Sequence, residues 1–445
     1  MNERDEIHHS LISKLLPNTI VNRHETKGLI LAFLCAFTMF VAYSILRPIR
    51  ETMGVTSGVS SLPWMFWSTL GLTLVAQPIL GKLMTKVRLA TLLPRIYTAF
   101  AFVLLAFYAW FLLQSDHTWI SRAYFIWVSV LNLLVVSLFW SLMADTFTEE
   151  QAGRMFGVIA GGLSLGGLVG SLLAGWLAEV IGTINLLLVS AALLWNAGFL
   201  MTKVTLWRAG EGGNVPISHV DEKLTGNALD GFSQIFRSPF LMGVALFVVL
   251  LTSATTILYV EQNRIVGEFV ASTDARTALF GKIDFGVQLA ALVGQFFFFG
   301  PLMRRWGLDI VLATSPVLMM GAFLVLWKSP SLSVVIAAMV VRRVSEYAFA
   351  KPSRDLLFTG VSRSEKYRAK SVLDTFVYRG GDAVSASMYQ GATVAAGHSI
   401  AGMSGMAVSA VWLVVSLWLA SKFRRQRADS EVTLGERSTH VKAAA

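Results

Sequence analysis

The sequence has one cysteine in 445 residues, Cys35. A single thiol excludes an intrachain disulfide and a thiolate metal cluster, and it leaves the redox compartment open. Charge is scarce too. Asp, Glu, Lys and Arg make up 14% of the chain and hydrophobic residues 55%. A soluble domain carries about 25% charge, and its core could not absorb this much apolar surface. No loop carries a His/Asp/Glu metal cluster, a nucleophile elbow or a P-loop, so neither an enzyme nor a bound cofactor or metal is expected.

What is present is apolar runs of membrane-crossing length. Residues 28–46, 89–113, 240–260 and 310–327 each approach the roughly 20 residues that a helix needs to cross hydrocarbon. The expected fold is an all-α membrane protein with about 12 transmembrane helices. The spans are expected at 28–46, 62–81, 90–113, 121–143, 155–181, 184–202, 239–260, 278–303, 308–327, 331–350, 369–395 and 401–421. A polar segment, 1–27, precedes the first, whose apolar run is too long for the core of a cleavable signal.

The net charge of +10 could suit nucleic acid, but the cations gather in alternate loops. Lys82, Lys86, Arg88 and Arg95 form one group, Arg304 and Arg305 another, the stretch from Lys351 to Lys370 a third, and Lys422, Arg424, Arg425 and Arg427 the last. That alternation follows the positive-inside rule. It puts both termini in the cytoplasm of a multi-pass inner-membrane protein, and makes the lipid bilayer the partner rather than a nucleic acid polymer. A monomer is expected.

The longest polar interruption divides the spans six and six. It makes 28–202 an N-terminal bundle, 203–238 a cytoplasmic linker, 239–421 a C-terminal bundle and 422–445 a tail. The linker opens on Gly210, Gly212, Gly213, Asn214 and Pro216. Its second part sets Leu224, Ala228, Phe232, Ile235 and Phe236 near one helical face, the pattern of an interfacial helix. The halves share features as well. Gly81, Leu83, Met84, Lys86 and Leu89 match Gly300, Leu302, Met303, Arg305 and Leu308. Arg154, Val158, Gly166 and Gly167 pair more weakly with Arg368, Val372, Gly380 and Gly381. Two such matches imply duplicated six-helix repeats, a major-facilitator-like plan with its substrate site near the midplane. In the fifth span Gly157, Gly161, Gly162, Gly166, Gly167 and Gly170 form overlapping small-xxx-small motifs, which let helices approach closely.

Charges within spans are costly, about 2.5–3.5 kcal/mol each at the bilayer centre on insertion scales, so they are functional candidates by default. Arg342 and Arg343 fall roughly eleven residues into the tenth span, some 16 Å deep, with Glu346 one turn on. They read either as a self-neutralising helix lock or as a site with surplus positive charge for an anion. In the eleventh span Asp374, Tyr378, Asp382, Ser385 and Tyr389 share one side at helical spacing, with Arg379 beside them. In the eighth, Asp284, Gln288 and Gln295 share a face, with Gly281 above and Lys282 beside it. Amides of this kind serve as helix-to-helix glue or line a cavity.

The first span ends with Tyr43, Arg47 and Arg50 on one face, followed by Glu51, with Pro48 as a kink. Their guanidinium forks either bind phosphate or carboxylate or snorkel to the interface. Glu261 and Arg264 are candidates for an outer gate. Asp145 and Arg154 flank the loop between the fourth and fifth spans, as a gate or a loop anchor. The substrate-binding candidates are Arg47, Arg50, Tyr43, Asp284, Gln288, Arg342, Arg343, Glu346, Tyr378 and Arg379. The coupling or gating candidates are Asp374, Asp382, Glu261, Arg264, Lys282, Asp145 and Arg154. Cations and anions nearly balance across these positions, so charge alone does not fix the sign of the substrate.

Two segments resemble the nucleotide transporter family that exchanges ATP for ADP in plastids and obligate intracellular bacteria. Ile45-Leu46-Arg47-Pro48-Ile49-Arg50-Glu51 is similar to that family's Ile-Leu-Arg-x-x-Lys-Asp at the end of helix one. Tyr347 to Phe349, Arg354-Asp355, Arg368 to Asp374 and Arg379-Gly380 resemble its Tyr-x-x-Phe, Lys-Glu, Lys-Gly-Lys-Ala-x-Ile-Asp and Arg-x-Gly. The resemblance implies an alternating-access secondary transporter for a small organic anion, a nucleotide or another phosphorylated metabolite, with Arg50 standing where the family has a functional lysine. It breaks where the family continues Lys-Ser-Gly-Gly and this chain has Gly381-Asp382-Ala383-Val384-Ser385. A carboxylate in place of a phosphate-binding cation suits proton coupling, or a solute with a positive group. A transport-inactive scaffold or receptor is the alternative from another class.

Overall fold

A computed structural model describes residues 23–210, 228–294, 297, 300–360, 369–370, 372–397 and 400–443. Leu224 and most of the linker glycines, the N-terminal 22 residues, Gln295 and Arg368 lie outside these. Among the described residues every regular element is helical. In chain order the helices are α1 (Arg23–Thr56), α2 (Leu62–Lys86), α3 (Leu89–Leu113), α4 (Thr118–Thr146), α5 (Glu149–Ile181), α6 (Leu186–Gly210) and α7 (Ala228–Arg237). They continue with α8 (Pro239–Phe269), α9 (Thr273–Val293), α10 (Gly300–Lys328), α11 (Leu332–Ser345), α12 (Lys351–Leu357), α13 (Tyr378–Ala396) and α14 (Ile400–Ala443). Wider π-turns, Glu346–Ala350 and Leu373–Val377, sit between α11 and α12 and just before α13.

Nine helices among the described residues are long and apolar enough to cross a membrane: α1 to α6, α8, α10 and α14. The other three expected spans fall on α9, on α11 to α12, and on the π-turn with α13. These carry Asp274, Arg276, Lys282 and Asp284, then Arg342, Arg343 and Glu346, then Asp374, Arg379 and Asp382. The polar character that marks them as candidate sites is what removes them from the apolar set.

The chain forms two compact units. The first takes Met1–Ser57, Gly71–Val220 and Val270–Gln288, and the second Gly58–Leu70, Asp221–Phe269 and Leu289–Ala445. The division is therefore not a single cut at the linker. Most of α9 joins the first unit and the start of α2 joins the second.

In the first unit α1 packs against α4, α5 and α6. The approach to α5 depends on glycine. A Cβ at Gly162 would come within 2.8 Å of the Phe33 carbonyl oxygen, and at Gly166 and Gly170 it would collide with the carbonyls of Phe37 and Val41. A second ridge faces α9, where a Cβ at Gly175 would lie 3.1 Å from the Lys282 amide nitrogen. Gly157 and Gly161 meet nothing within 4 Å, so the close-packing motif is narrower than the glycine run. α5 starts on a capping box. Thr148 accepts from the Gln151 amide, and the Gln151 side chain accepts from the Thr148 amide, so two of the unmet donors at the helix start are satisfied.

In the second unit α8 packs against α11, α13 and α14, and α10 lies on α14. Gly402 and Gly405 of α14 seat Trp327 and Phe323 of α10. Leu308 resumes α10 after Gly307 breaks it at φ 76°, and Leu89 opens α3 after Arg88 leaves the helical region. The two matched leucines thus each begin a helical stretch, and both are buried.

Candidate functional site

In the first unit α1 does not end near Leu46 but runs through Pro48 to Thr56. Tyr43, Arg47, Arg50 and Glu51 therefore sit within the helix rather than at its end. Arg47 Nε lies 3.5 Å from Asp284 Oδ2 of α9, a carboxylate whose side chain is 3% exposed. Arg50 pairs with its neighbour Glu51, donates to Ser129 Oγ at 3.5 Å, and stacks over the Phe125 ring at 5.3 Å. Stacking on an aromatic face and a guanidinium fork suit the same residue. Tyr43 is buried, its ring 5.6 Å from that of Phe40.

Other members of this set have different roles. Gln288 donates to Gly167 O and to Ser171 Oγ, both at 2.7 Å, so its amide fastens α9 to α5 and is not offered to a cavity. Lys282 lies 3.9 Å from Glu179, and both side chains are more than half exposed. Arg154 does not pair with Asp145. It bonds Glu25 at 3.2 Å and Glu150 at 3.6 Å, tying the start of α5 to that of α1, and Gln151 adds a bond to Glu25 at 2.9 Å. The capping box turns these side chains toward α1. Glu25 had no signal in the sequence beyond an acid at a helix start.

In the second unit the cations and acids of three elements meet. Arg342 of α11 lies 3.5 Å from Glu346, and Tyr378 of α13 donates to the other oxygen of Glu346 at 3.1 Å. Arg343 is 3% exposed. Arg379 lies 4.0 Å from Asp382, whose Oδ1 accepts from Thr256 of α8 at 3.1 Å. Ser253 and Ser385 share a hydrogen bond at 2.8 Å.

Glu261 is buried, because α8 continues two turns past it to Phe269. It accepts from Tyr389 at 2.7 Å and from Arg264 at 3.0 and 2.7 Å, and Arg264 also reaches Glu268 at 2.9 Å. Asp374 leaves the expected stripe. The π-turn Leu373–Val377 widens the helix ahead of α13 and resets its register, and Asp374 pairs with Arg354 at 2.9 Å. Lys370 and Asp355 close the same cluster at 2.9 Å. Tyr389 also lines a cavity of about 350 Å³ with Ser60, Pro63, Val260, Gln390 and Thr393.

A profile describing the Major Facilitator Superfamily matches residues 141–352. The ADP,ATP carrier protein 1 of Chlamydia muridarum is 20% identical, over 90% of this chain and 88% of that carrier. ADP,ATP carrier protein 2 of Chlamydia pneumoniae is 20% identical over 71% of this chain and 68% of its own length. The chain is a divergent relative of the ADP,ATP carriers with a major-facilitator-like fold. Among solved structures, a bacterial homologue of the iron transporter ferroportin superposes with a TM-score of 0.62 at 14% identity, covering 90% of this chain and 99% of that one. The nucleoside transporter NupG gives 0.60 at 15% identity over 90% and 98%. With nine helices among the described residues long and apolar enough to cross a membrane, this relative of the carriers is a multi-pass membrane protein.

Proposed function

We propose that the chain is an alternating-access secondary transporter for an organic anion, with a nucleotide or another phosphorylated metabolite as the favoured class. The observation that carries this reading is the setting of Arg47 and Arg50. Two guanidinium groups stand in the body of a membrane helix, one against a buried carboxylate and one stacked on an aromatic ring. Buried cations in a membrane are costly to keep, and the fork geometry of arginine matches phosphate and carboxylate in two-point contact.

Tyr43, Arg47 and Arg50 are the solute-binding candidates of the first unit, and Arg342, Arg343, Tyr378 and Arg379 those of the second, each set taken within its own unit. Glu346 and Asp284 hold the arginines in place when no anion is bound. An arriving anion competes for Arg47 and Arg342 and frees their carboxylates, which gives a bound and an unbound state with different ion pairs. α9, α11 to α12, and α13 with its π-turn are the remaining three of twelve spans in two six-helix repeats. The chain is a monomer in the inner membrane, with both termini cytoplasmic.

The test is a thermal-shift screen of the purified protein against ATP, ADP, sugar phosphates, organic acids and neutral sugars. A ligand that binds the folded state raises its stability by RT ln(1 + [L]/Kd). The expected outcome is stabilisation by phosphorylated compounds that is lost in Arg47→Ala and Arg342→Ala. Stabilisation by neutral sugars alone would overturn the reading.

A further inference from the structure

Within the second unit a polar seam runs along the contact of α8 and α13. Tyr378, Asp382, Ser385 and Tyr389 project from α13, spread over about 16 Å of helix axis at 1.5 Å per residue. Three carboxylates meet this stripe, each with a hydroxyl partner. Glu346 accepts from Tyr378 at 3.1 Å, Asp382 from Thr256 at 3.1 Å, and Glu261 from Tyr389 at 2.7 Å. The Ser253–Ser385 bond fills the interval. A Cβ at Gly381 would collide with the Thr252 hydroxyl, so the glycine lets α13 lie close against α8. Tyr389, at one end, faces the 350 Å³ cavity.

The three acids are not equally compensated. Glu261 takes two hydrogen bonds from Arg264 in addition to that of Tyr389. Glu346 has Arg342 at 3.5 Å and the Tyr378 hydroxyl. Asp382 is 9% exposed, holds one hydroxyl donor, and has its own neighbour Arg379 no nearer than 4.0 Å, beyond hydrogen-bonding reach.

The elements packed on α13 add little charge near Asp382. α8 presents the hydroxyls of Thr252, Ser253 and Thr256, with Glu261 already paired. The preceding π-turn brings Asp374, held by Arg354. α14 carries no titratable side chain from Ile400 to Ser421. Arg342 and Glu346, of opposite sign and paired with each other at 3.5 Å, also act on Asp382. Of the three acids, Asp382 is the one with the fewest donors within hydrogen-bonding reach among the described residues.

We propose that Asp382 is a proton-binding site, and that the seam between α8 and α13 conducts the proton whose movement is coupled to the solute. This rests on the transport reading and deepens it. The chemistry is a simple exchange. One proton joins a carboxylate oxygen of Asp382 as an O–H bond and leaves to water, with the hydroxyls of Thr256, Ser253, Ser385 and Tyr389 as relays.

Two measurements test it. The first needs no substrate. Infrared pH-difference spectra of the purified full chain in lipid should contain a protonated-carboxyl band that is lost in Asp382→Asn, kept in Asp374→Asn, and displaced in frequency in Asp382→Glu. The same band in Asp382→Asn would overturn the proposal. The second uses proteoliposomes with labelled ADP. Asp382→Asn should lose accumulation driven by an inward proton gradient while keeping exchange against internal ATP. Accumulation in Asp382→Asn that still follows the proton gradient, or accumulation in the parent that follows sodium instead, would overturn it. If no nucleotide moves at all, the nucleotide reading fails and the infrared result alone decides the proton site.

Discussion

Arg47 of α1 and Asp284 of α9 face each other at 3.5 Å with unequal access to solvent, 21% of the arginine side chain being exposed against 3% of the carboxylate. Breaking a buried pair from one side costs about 3–5 kcal/mol because the survivor keeps an uncompensated charge. The partial exposure of Arg47 places this pair toward the lower end. Arg47→Ala, which removes a cation from beside the buried acid, is expected to lower the thermal unfolding midpoint more than Asp284→Asn, which leaves an arginine that can reach water. The double variant Arg47→Gln/Asp284→Asn should recover part of the loss. Equal effects of the two single changes would contradict the asymmetry.

The α1–α5 contact gives a steric prediction. A side chain at Gly170 would meet the Val41 carbonyl, whereas at Gly157 nothing lies within 4 Å. Overpacking typically costs about 1–3 kcal/mol, and here the obstruction is backbone, which cannot rotate away. Gly170→Val should therefore sharply reduce the yield of folded protein, while Gly157→Val leaves it near the parent. Size-exclusion profiles of the two membrane extracts, run side by side, decide it.

Tyr389 gives an energetic one. Its hydroxyl donates to the buried Glu261 at 2.7 Å, and a hydrogen bond to a charged group contributes about 1.5–3 kcal/mol. Tyr389→Phe keeps the ring and removes the donor. A loss in that range is expected in chemical unfolding, with a smaller loss when Glu261→Gln is already present. An unchanged Tyr389→Phe would mean that Arg264 alone satisfies the carboxylate.

The sequence exposed the helical plan and most of the charged positions, because each depends on local pattern. Span length follows from apolar runs, and Asp382, Ser385 and Tyr389 share a side because 100° per residue holds through α13. What it could not show depends on register and partners. The stripe was extended back to Asp374 because a π-turn at Leu373–Val377 leaves no compositional mark. Gln288 reads either as helix-to-helix glue or as cavity lining, because no local rule reveals that the Gly167 carbonyl lies opposite. Arg154 was set against Asp145, its neighbour across a short loop, whereas the acid that holds it, Glu25, is more than a hundred residues away. The glycine ridge was legible in outline, but which glycines touch α1 was not.

On the proposed reading an organic anion passes through the half-buried arginines Arg47 and Arg342 of this relative of the ADP,ATP carriers. Uptake of labelled nucleotides and sugar phosphates into proteoliposomes loaded with the unlabelled compound tests it most directly. Saturable uptake of at least one phosphorylated compound is expected, falling at least tenfold in Arg47→Ala and Arg342→Ala variants that remain folded, a loss of about 1.4 kcal/mol or more in transition-state stabilisation. Absence of uptake for every anion tested, or uptake in both variants equal to that of the parent, would contradict it.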